Sequence, residues 1–290
     1  MISYIFLSPG CFIVTPFGEI DIQEQFAKAI GTTVITINRW ENGKTTPNKI
    51  AQKHLYEFCK EHKINLVDMI IDRKSLPGGN QKVILYHGSK KGIQGDIAPI
   101  SREQCDFGKG FYMGTNTLQP LTLVCAEDKP KFYTVELDLT GLKVLHVDIS
   151  LDWAMLIAYF RKEMESAKGT DIYEHYANFA KGYDVIVGYI ANDRMYVELT
   201  RFFNRTLTDT ALINCLSALD LGMQYVAVTE KACQQIKVLK EEELSTLELL
   251  ALRDMSAARR RAGVALADEI EIKYRREGRF FDEILKEGLQ

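Results

Sequence analysis

Between residues 15 and 70, apolar side chains return every three or four positions, which is the period of a helix. Phe26, Ala27 and Ile30 mark a first helix over Gln23–Ile30, which Gly31 ends. Val34, Ile37 and Trp40 form one face of a second over Thr33–Asn42, closed by Asn42-Gly43 with Pro47 a few residues on. Ile50, Leu55, Phe58 and Cys59 are the expected inward face of a third over Asn48–His62. The stretch Ser75-Leu76-Pro77-Gly78-Gly79-Asn80 then gathers turn formers with few apolar residues and reads as a linker.

From Gln81 the period shortens. Val83–Tyr86, Phe132–Leu139, Tyr183–Tyr189 and Gln224–Thr229 are strand-like runs. Cys105–Thr117 reads as a loop, and Leu151–Glu165 and Thr208–Leu221 as helices. Strands and helices mix here, so an α+β domain is expected over residues 81–240, behind an all-α module over 1–75. Residues 241–290 are a helical segment with Gly263 and Gly278 as breaks. Leu244, Leu247, Leu250 and Leu252 fit no single heptad, so two or three helices packed on the rest are expected rather than a long coiled coil.

At 290 residues, 46% hydrophobic and 26% charged, the chain has globular composition and the length for two domains and a short third segment. The net charge of −3 excludes a protein-wide basic field, so any nucleic-acid role must rest on a local patch. Six cysteines form no C-x-x-C pair and match no zinc spacing, which predicts thiols in a reducing compartment and no metal. Met1–Val14 is apolar but opens without Lys or Arg and is cut by Pro9-Gly10, unlike a secretory signal. No run approaches the ~18 apolar residues of a membrane span. A cytoplasmic protein with no membrane partner is expected.

Residues 23–47, QEQFAKAIGTTVITINRWENGKTTP, place a glycine between two helices, the arrangement whose second helix enters the major groove of DNA. Through Gln23, Ala27, Gly31, Trp40, Glu41, Gly43 and Pro47 this segment resembles the phage-repressor type of helix-turn-helix. Thr32, Thr33, Thr36 and Arg39 lie off the Val34–Ile37–Trp40 face and are the candidates for base-edge and phosphate contact. Asn38 is a further candidate, and Lys44 and Lys49 add phosphate contacts. Residues 15–65 carry seven basic and six acidic side chains, so few phosphates are neutralised, and operator binding is expected to need a homodimer on two half-sites. Relatives of this type usually have a full helix before Gln23, where Met1–Gly18 looks strand-like or irregular. A helical module for protein contact is the alternative.

Two short pieces mark the middle of the chain. Leu85-Tyr86-His87-Gly88-Ser89 puts a His on a strand end, and Asp106-Phe107-Gly108-Lys109-Gly110-Phe111-Tyr112 follows. Neither a phosphate loop nor a dinucleotide G-x-G-x-x-G is present. Taken in order with Gln119, Trp153, residues 183–196 and residues 224–232, the two pieces resemble the ADP-ribosyltransferase fold in its His-Tyr-Glu branch. More narrowly, they are similar to a family of bacterial domains of unknown function placed in that superfamily.

The resemblance implies a mixed α/β sandwich over about residues 83–240 that takes NAD as substrate. It implies that His87 binds a ribose hydroxyl, Gly88 lets the backbone approach the nicotinamide amide, and Tyr112 stacks on nicotinamide, with Phe111 either beside it or in the core. Ser89 and Gly110 complete the expected cleft, with Asp193 toward the ribose or acceptor and Arg194 toward a phosphate. Asp193 and Arg194 are equally suited to capping a turn. Gln224 stands where the branch usually has Glu. It can hydrogen-bond a hydroxyl but cannot act as a base, which leaves Asp193, Glu198 and Glu230 as candidate carboxylates, with surface charge the alternative reading of the two glutamates.

The expected function is an intracellular transferase of ADP-ribose to a protein or nucleic-acid acceptor. Such domains are often toxins in toxin–antitoxin or phage-defence systems, which brings in an antitoxin partner. The alternatives are a non-catalytic transcription regulator that senses NAD or a related nucleotide, and an interaction protein that keeps only the fold. Arg259-Arg260-Arg261 and Arg275-Arg276 offer a basic surface to nucleic acid or an acidic partner, or form a solvated helix face among twelve acidic and nine basic residues of 241–290.

Overall fold

The fold comes from a computed structural model that describes residues 3–8, 11–15, 21–74, 82–191, 195–218 and 221–287. The first elements are the antiparallel strands β1 (Ser3–Ser8) and β2 (Cys11–Thr15), so the module expected to be all-α over 1–75 opens with a two-stranded sheet, built from an apolar run without helical period. Four helices follow: α1 (Asp21–Ile30), α2 (Val34–Glu41), α3 (Lys49–Glu61) and α4 (Leu66–Lys74). Gly31, at φ +73°, ends α1 in the left-handed conformation that glycine adopts without strain. Thr33 caps α2 by accepting from the Thr36 N–H at 3.2 Å, and Asn48 caps α3 by accepting from the Ala51 N–H at 2.9 Å. The Nδ1–H of His54 donates to the Ile30 carbonyl at 2.9 Å, tying α3 to the end of α1.

Ile37 and Trp40 are buried and Val34 packs against them, as the sequence face predicts. Ile50 differs, being 66% exposed. The buried face of α3 is set by Leu55, Tyr56 and Cys59. Ile50 stands five residues from Leu55 and nine from Cys59, which at about 3.6 residues per turn puts it near the opposite side. The expected 75–80 linker lies outside the described residues.

The next elements are β3 (Lys82–Ser89), β4 (Phe111–Gly114), α5 (Leu118–Val124), β5 (Lys131–Asp138), β6 (Val144–Val147), α6 (Leu151–Arg161) and α7 (Asp171–Phe179). Then come β7 (Val185–Tyr189), α8 (Met195–Phe203), α9 (Asp209–Leu216), β8 (Met223–Ala227), α10 (Glu230–Gln234) and β9 (Ile236–Glu243). Two C-terminal helices close the chain, α11 (Thr246–Tyr274) and α12 (Phe281–Glu287). The strands form a seven-stranded sheet in the order β6-β7-β8-β4-β3-β5-β9, with only the β6–β7 pair parallel. The architecture is α+β: N-terminal helices, a mixed sheet and a long C-terminal helix.

The four expected strands are present as β3, β5, β7 and β8. The stretch read as a loop over Cys105–Thr117 contains β4, whose four residues hydrogen-bond to β8 from Phe111 to Gly114. Gly263 does not break the tail. It is buried inside α11, because a helical glycine costs only about 1 kcal/mol and close packing of that helix on α9 outweighs it. Gly278, at φ +83°, is followed by α12. The first half of α11 packs on α3 and α4, so Leu247 and Leu252 share one core with Ile37 and Leu55 of the helical module and with Tyr86 and Phe132 of the sheet. Lys74, fully buried, lies 3.4 Å from Glu242 and 3.5 Å from Glu248, fixing the end of α4 to β9 and α11.

Candidate functional site

Strand register builds the cleft. Tyr86 pairs with Gly114, and this is the one aligned pair between β3 and β4. Beyond it the two strands part, while β3 stays paired with β5 as far as Ser89 and β4 with β8 as far as Phe111. A cavity of about 430 Å³ opens at the parting, within the size of small-molecule sites. His87, Gly88 and Ser89 line it from β3, Gly110, Phe111 and Tyr112 from the strand beside, and Gln224 from β8. Asn192, Asp193 and Arg194 lie outside the described residues.

Alternation along the strands divides these side chains between two faces. His87 and Phe111 share the face of Leu85, Met113 and Tyr133, and their rings stack with centroids 4.3 Å apart. Tyr112 shares the opposite face with Val226 and Ile186, and Gln224 follows Val226 on β8 by the period of two. His87 reaches Tyr112 through the backbone: its Nδ1 is 2.7 Å from the Tyr112 carbonyl. A carbonyl only accepts, so Nδ1 carries the proton, and in the neutral ring Nε2 is an acceptor. Burial holds the His87 pKa below its usual 6.5, against the opposing effect of that hydrogen bond, and favours the neutral form.

Tyr112 is anchored by its hydroxyl, which accepts from the Phe107 N–H at 3.0 Å and donates to the Gly108 carbonyl at 2.7 Å. Burial and the nearby Asp106 carboxylate push its pKa far above the ordinary value. Phe111 is buried against His87. The two glycines have packing reasons. A Cβ on Gly88 would stand 2.4 Å from the Pro120 carbonyl oxygen, so this glycine lets α5 close on β3. This packing reason stands beside the expected one, since Gly88 also lines the cavity. A Cβ on Gly110 would stand 2.4 Å from Val226 Cγ1. Trp153, part of the motif set, is core, with its indole N–H donating to the Tyr189 carbonyl at 3.0 Å.

The carboxylate beside Gln224 is Asp106, a residue of the Asp106–Tyr112 motif whose type and position alone point to no role. Gln224 Nε2 donates to Asp106 Oδ2 at 2.9 Å. Asp106 Oδ1 accepts from Arg161 Nε at 3.1 Å and Nη2 at 2.5 Å, and Arg161 Nη1 donates to the Tyr196 hydroxyl. The proposed fallback carboxylates are elsewhere. Glu198 is buried on α8, its Oε2 3.8 Å from Arg201, and Glu230 is exposed in the first turn of α10; neither lines the cavity. The packing of α8 on α9 and the start of α10 after β8 carry these residues away from Gln224.

On the front module, Thr33 Oγ1 caps α2 and lies 3.0 Å from Thr36 Oγ1. Arg39, Asn38, Lys44 and Lys49 are exposed, and Thr32 and Thr36 half-buried. Ile35, 68% exposed on the same helix, is an apolar group the charge-based reading passed over; such a side chain suits a thymine methyl.

Fold and site together define an α+β protein that joins a helix-turn-helix to a mixed sheet with a cleft in its split. The model of the family described as "Protein of unknown function (DUF3990)" matches residues 83–238, and the chain belongs to that family. A helix-turn-helix family model matches residues 22–50, which supports DNA binding by the front module. No curated protein and no solved structure matches the chain. Among the described residues, no group of three or more His, Cys, Asp or Glu is placed to hold a metal ion, and no helix is long and apolar enough to cross a membrane.

Proposed function

We propose that the cleft takes NAD and that the protein transfers ADP-ribose from it to a protein or nucleic-acid acceptor. The observation that carries this reading is the convergence of His87, Tyr112 and Gln224 from three neighbouring strands onto one cavity. Nicotinamide in NAD is already a cationic leaving group. Its bond to ribose C1′ breaks without a strong acid, nicotinamide departs neutral, and the acceptor bonds to C1′ and gives up its proton. The transition state is oxocarbenium-like. The chain's task is then to grip the ribose and support the ring. His87 Nε2 and Gln224 Oε1 are both hydrogen-bond acceptors, suited to two sugar hydroxyls. Tyr112, with its hydroxyl tied into its own loop, offers a fixed aromatic ring for stacking.

In this reading the helix-turn-helix delivers the enzyme to operator DNA or to an antitoxin partner, and the whole acts as a toxin of a toxin–antitoxin or phage-defence system. The test is incubation of the protein and lysate with labelled NAD, followed by protease or nuclease. Label that one treatment releases identifies the acceptor class. Absence of both label transfer and nicotinamide release refutes the transferase. One observation favours a second reading, in which the cleft only senses NAD within a DNA-binding regulator. Asp106, the carboxylate beside the third position, is already engaged by Arg161 and Gln224. NAD binding without nicotinamide release would establish that reading.

A further inference from the structure

Asp106 and Gln224 are almost wholly buried, 6% and 5% exposed, so the polarity of the hydrogen bond between them is not negotiable with water. A carboxylate presents only acceptors to its partner, and the Gln224 amide must therefore turn its nitrogen toward Asp106 Oδ2. The amide has one nitrogen and one oxygen, so the oxygen faces away from Asp106. The other carboxylate oxygen, Oδ1, is held by two guanidinium N–H groups of Arg161, which is held in turn by Tyr196. This arrangement leaves Asp106 no freedom to turn to another partner.

We propose that Asp106 is a positioning residue: by accepting from Gln224 Nε2 it presents Gln224 Oε1 to the cleft as an acceptor for a ribose hydroxyl. The assignment rests on the reading of the cleft as an NAD site. It also deepens it. The ligand it calls for must bring a hydroxyl donor to Gln224, the chemistry of a sugar. A glutamine serves at the third position because a buried anion behind it sets which of its ends faces the sugar. A glutamate there would meet Asp106 as a second buried carboxylate at hydrogen-bond distance, which disfavours ionising both.

The test exploits a substitution that keeps shape and inverts polarity. D106N leaves an oxygen for Arg161 but turns an N–H toward residue 224, so the Gln224 amide flips and offers a donor to the cleft. The double variant D106N/Q224E restores an acceptor on both sides of residue 224 and the same net charge. Calorimetric titration of the full chain with NAD should show D106N weakened by roughly tenfold to hundredfold, the loss of one buried hydrogen bond and the exposure of a wrong donor. The double variant should regain most of the lost affinity. A merely structural role for Asp106 predicts no regain, so a double variant no better than D106N overturns the assignment. So does a D106N chain that binds NAD as tightly as wild type. Melting curves confirm that each variant is folded. If folded wild type itself binds no NAD, the NAD-site reading falls and carries this one with it, an outcome distinct from wild-type binding that D106N leaves untouched.

Discussion

Removing one oxygen from Tyr112 separates the two tasks this residue is given. The hydroxyl bridges the Phe107 N–H and the Gly108 carbonyl, and both residues are buried, Phe107 at 1% exposure. In Tyr112→Phe each backbone group loses its partner where water has little access. A lost hydrogen bond of this kind is worth about 1 kcal/mol net, and an orphaned buried group about 1–3 kcal/mol. Loop relaxation recovers part of this, so a destabilisation of about 2–3 kcal/mol is expected. For a protein of this size that lowers the melting temperature by roughly 5–10 °C. The ring stays, and with it the platform proposed for nicotinamide. Tyr112→Ala removes both, and should weaken NAD binding by a further 1–3 kcal/mol or about that, the range for an aromatic stack on a base. The assays are scanning calorimetry and NAD titration on the wild type and both variants. A Tyr112→Phe protein that melts with the wild type refutes the anchoring argument. Equal NAD affinity in the Phe and Ala variants refutes the stack.

Gly110→Ala puts a Cβ 2.4 Å from Val226 Cγ1 and 3.0 Å from the Ala227 carbonyl oxygen, and this overpacking should cost about 1–3 kcal/mol in denaturant unfolding, partly recovered by Val226→Ala; unchanged stability of the single variant would show that the loop has room to shift. For His87, burial sets the folded pKa below the ordinary 6.5, so the unfolded chain binds the proton that the folded chain refuses, and stability rises with pH. That contribution is complete above about pH 6.5 and is lost as pH falls through the lower folded value. The melting temperature of wild type should therefore fall relative to His87→Gln between about pH 7 and pH 5, and parallel curves would contradict a buried neutral imidazole. On the front module, Arg39→Ala should reduce the dependence of log affinity on log salt by about one, read by fluorescence anisotropy with operator DNA; an unchanged slope removes Arg39 from the phosphate contacts.

Elements whose signals are local were legible in the sequence. Thr33 and Asn48 mark the starts of α2 and α3 because a side-chain oxygen there satisfies an N–H of the first turn. Gly31 marks the end of α1 because the chain turns there at positive φ. Elements defined by their partners were not. β4 is four residues behind a glycine-containing turn and acquires its identity only by lying between β3 and β8. β9 reads IKVLKEEE, a charged run that becomes a strand because it pairs along β5 at the sheet edge. Gly263 has the chemistry of a helix break, yet α11 continues through it because α9 packs there.

The site divides along the same line, and the division explains why Glu198 and Glu230 were considered where Asp106 was not. His87, Tyr112 and Gln224 come from short ordered motifs, so residue type and order were enough to nominate them. Residue type alone points to a glutamate, which the resembled branch usually has at the third position. What decides the chemistry at Gln224 is a hydrogen bond to a residue 118 positions earlier. That contact exists because the loop before β4 is held over the sheet by the Tyr112 hydroxyl, on the face that Gln224 shares, which brings Asp106 to Gln224. An amide is ambiguous in sequence: it donates at one end and accepts at the other. Only the buried neighbour selects the end that faces a ligand, and here the neighbour is an anion, already held by Arg161, that cannot donate. The polarity that Gln224 can offer a ligand is therefore a property of the pair and not of the residue, and the pair is created by the fold.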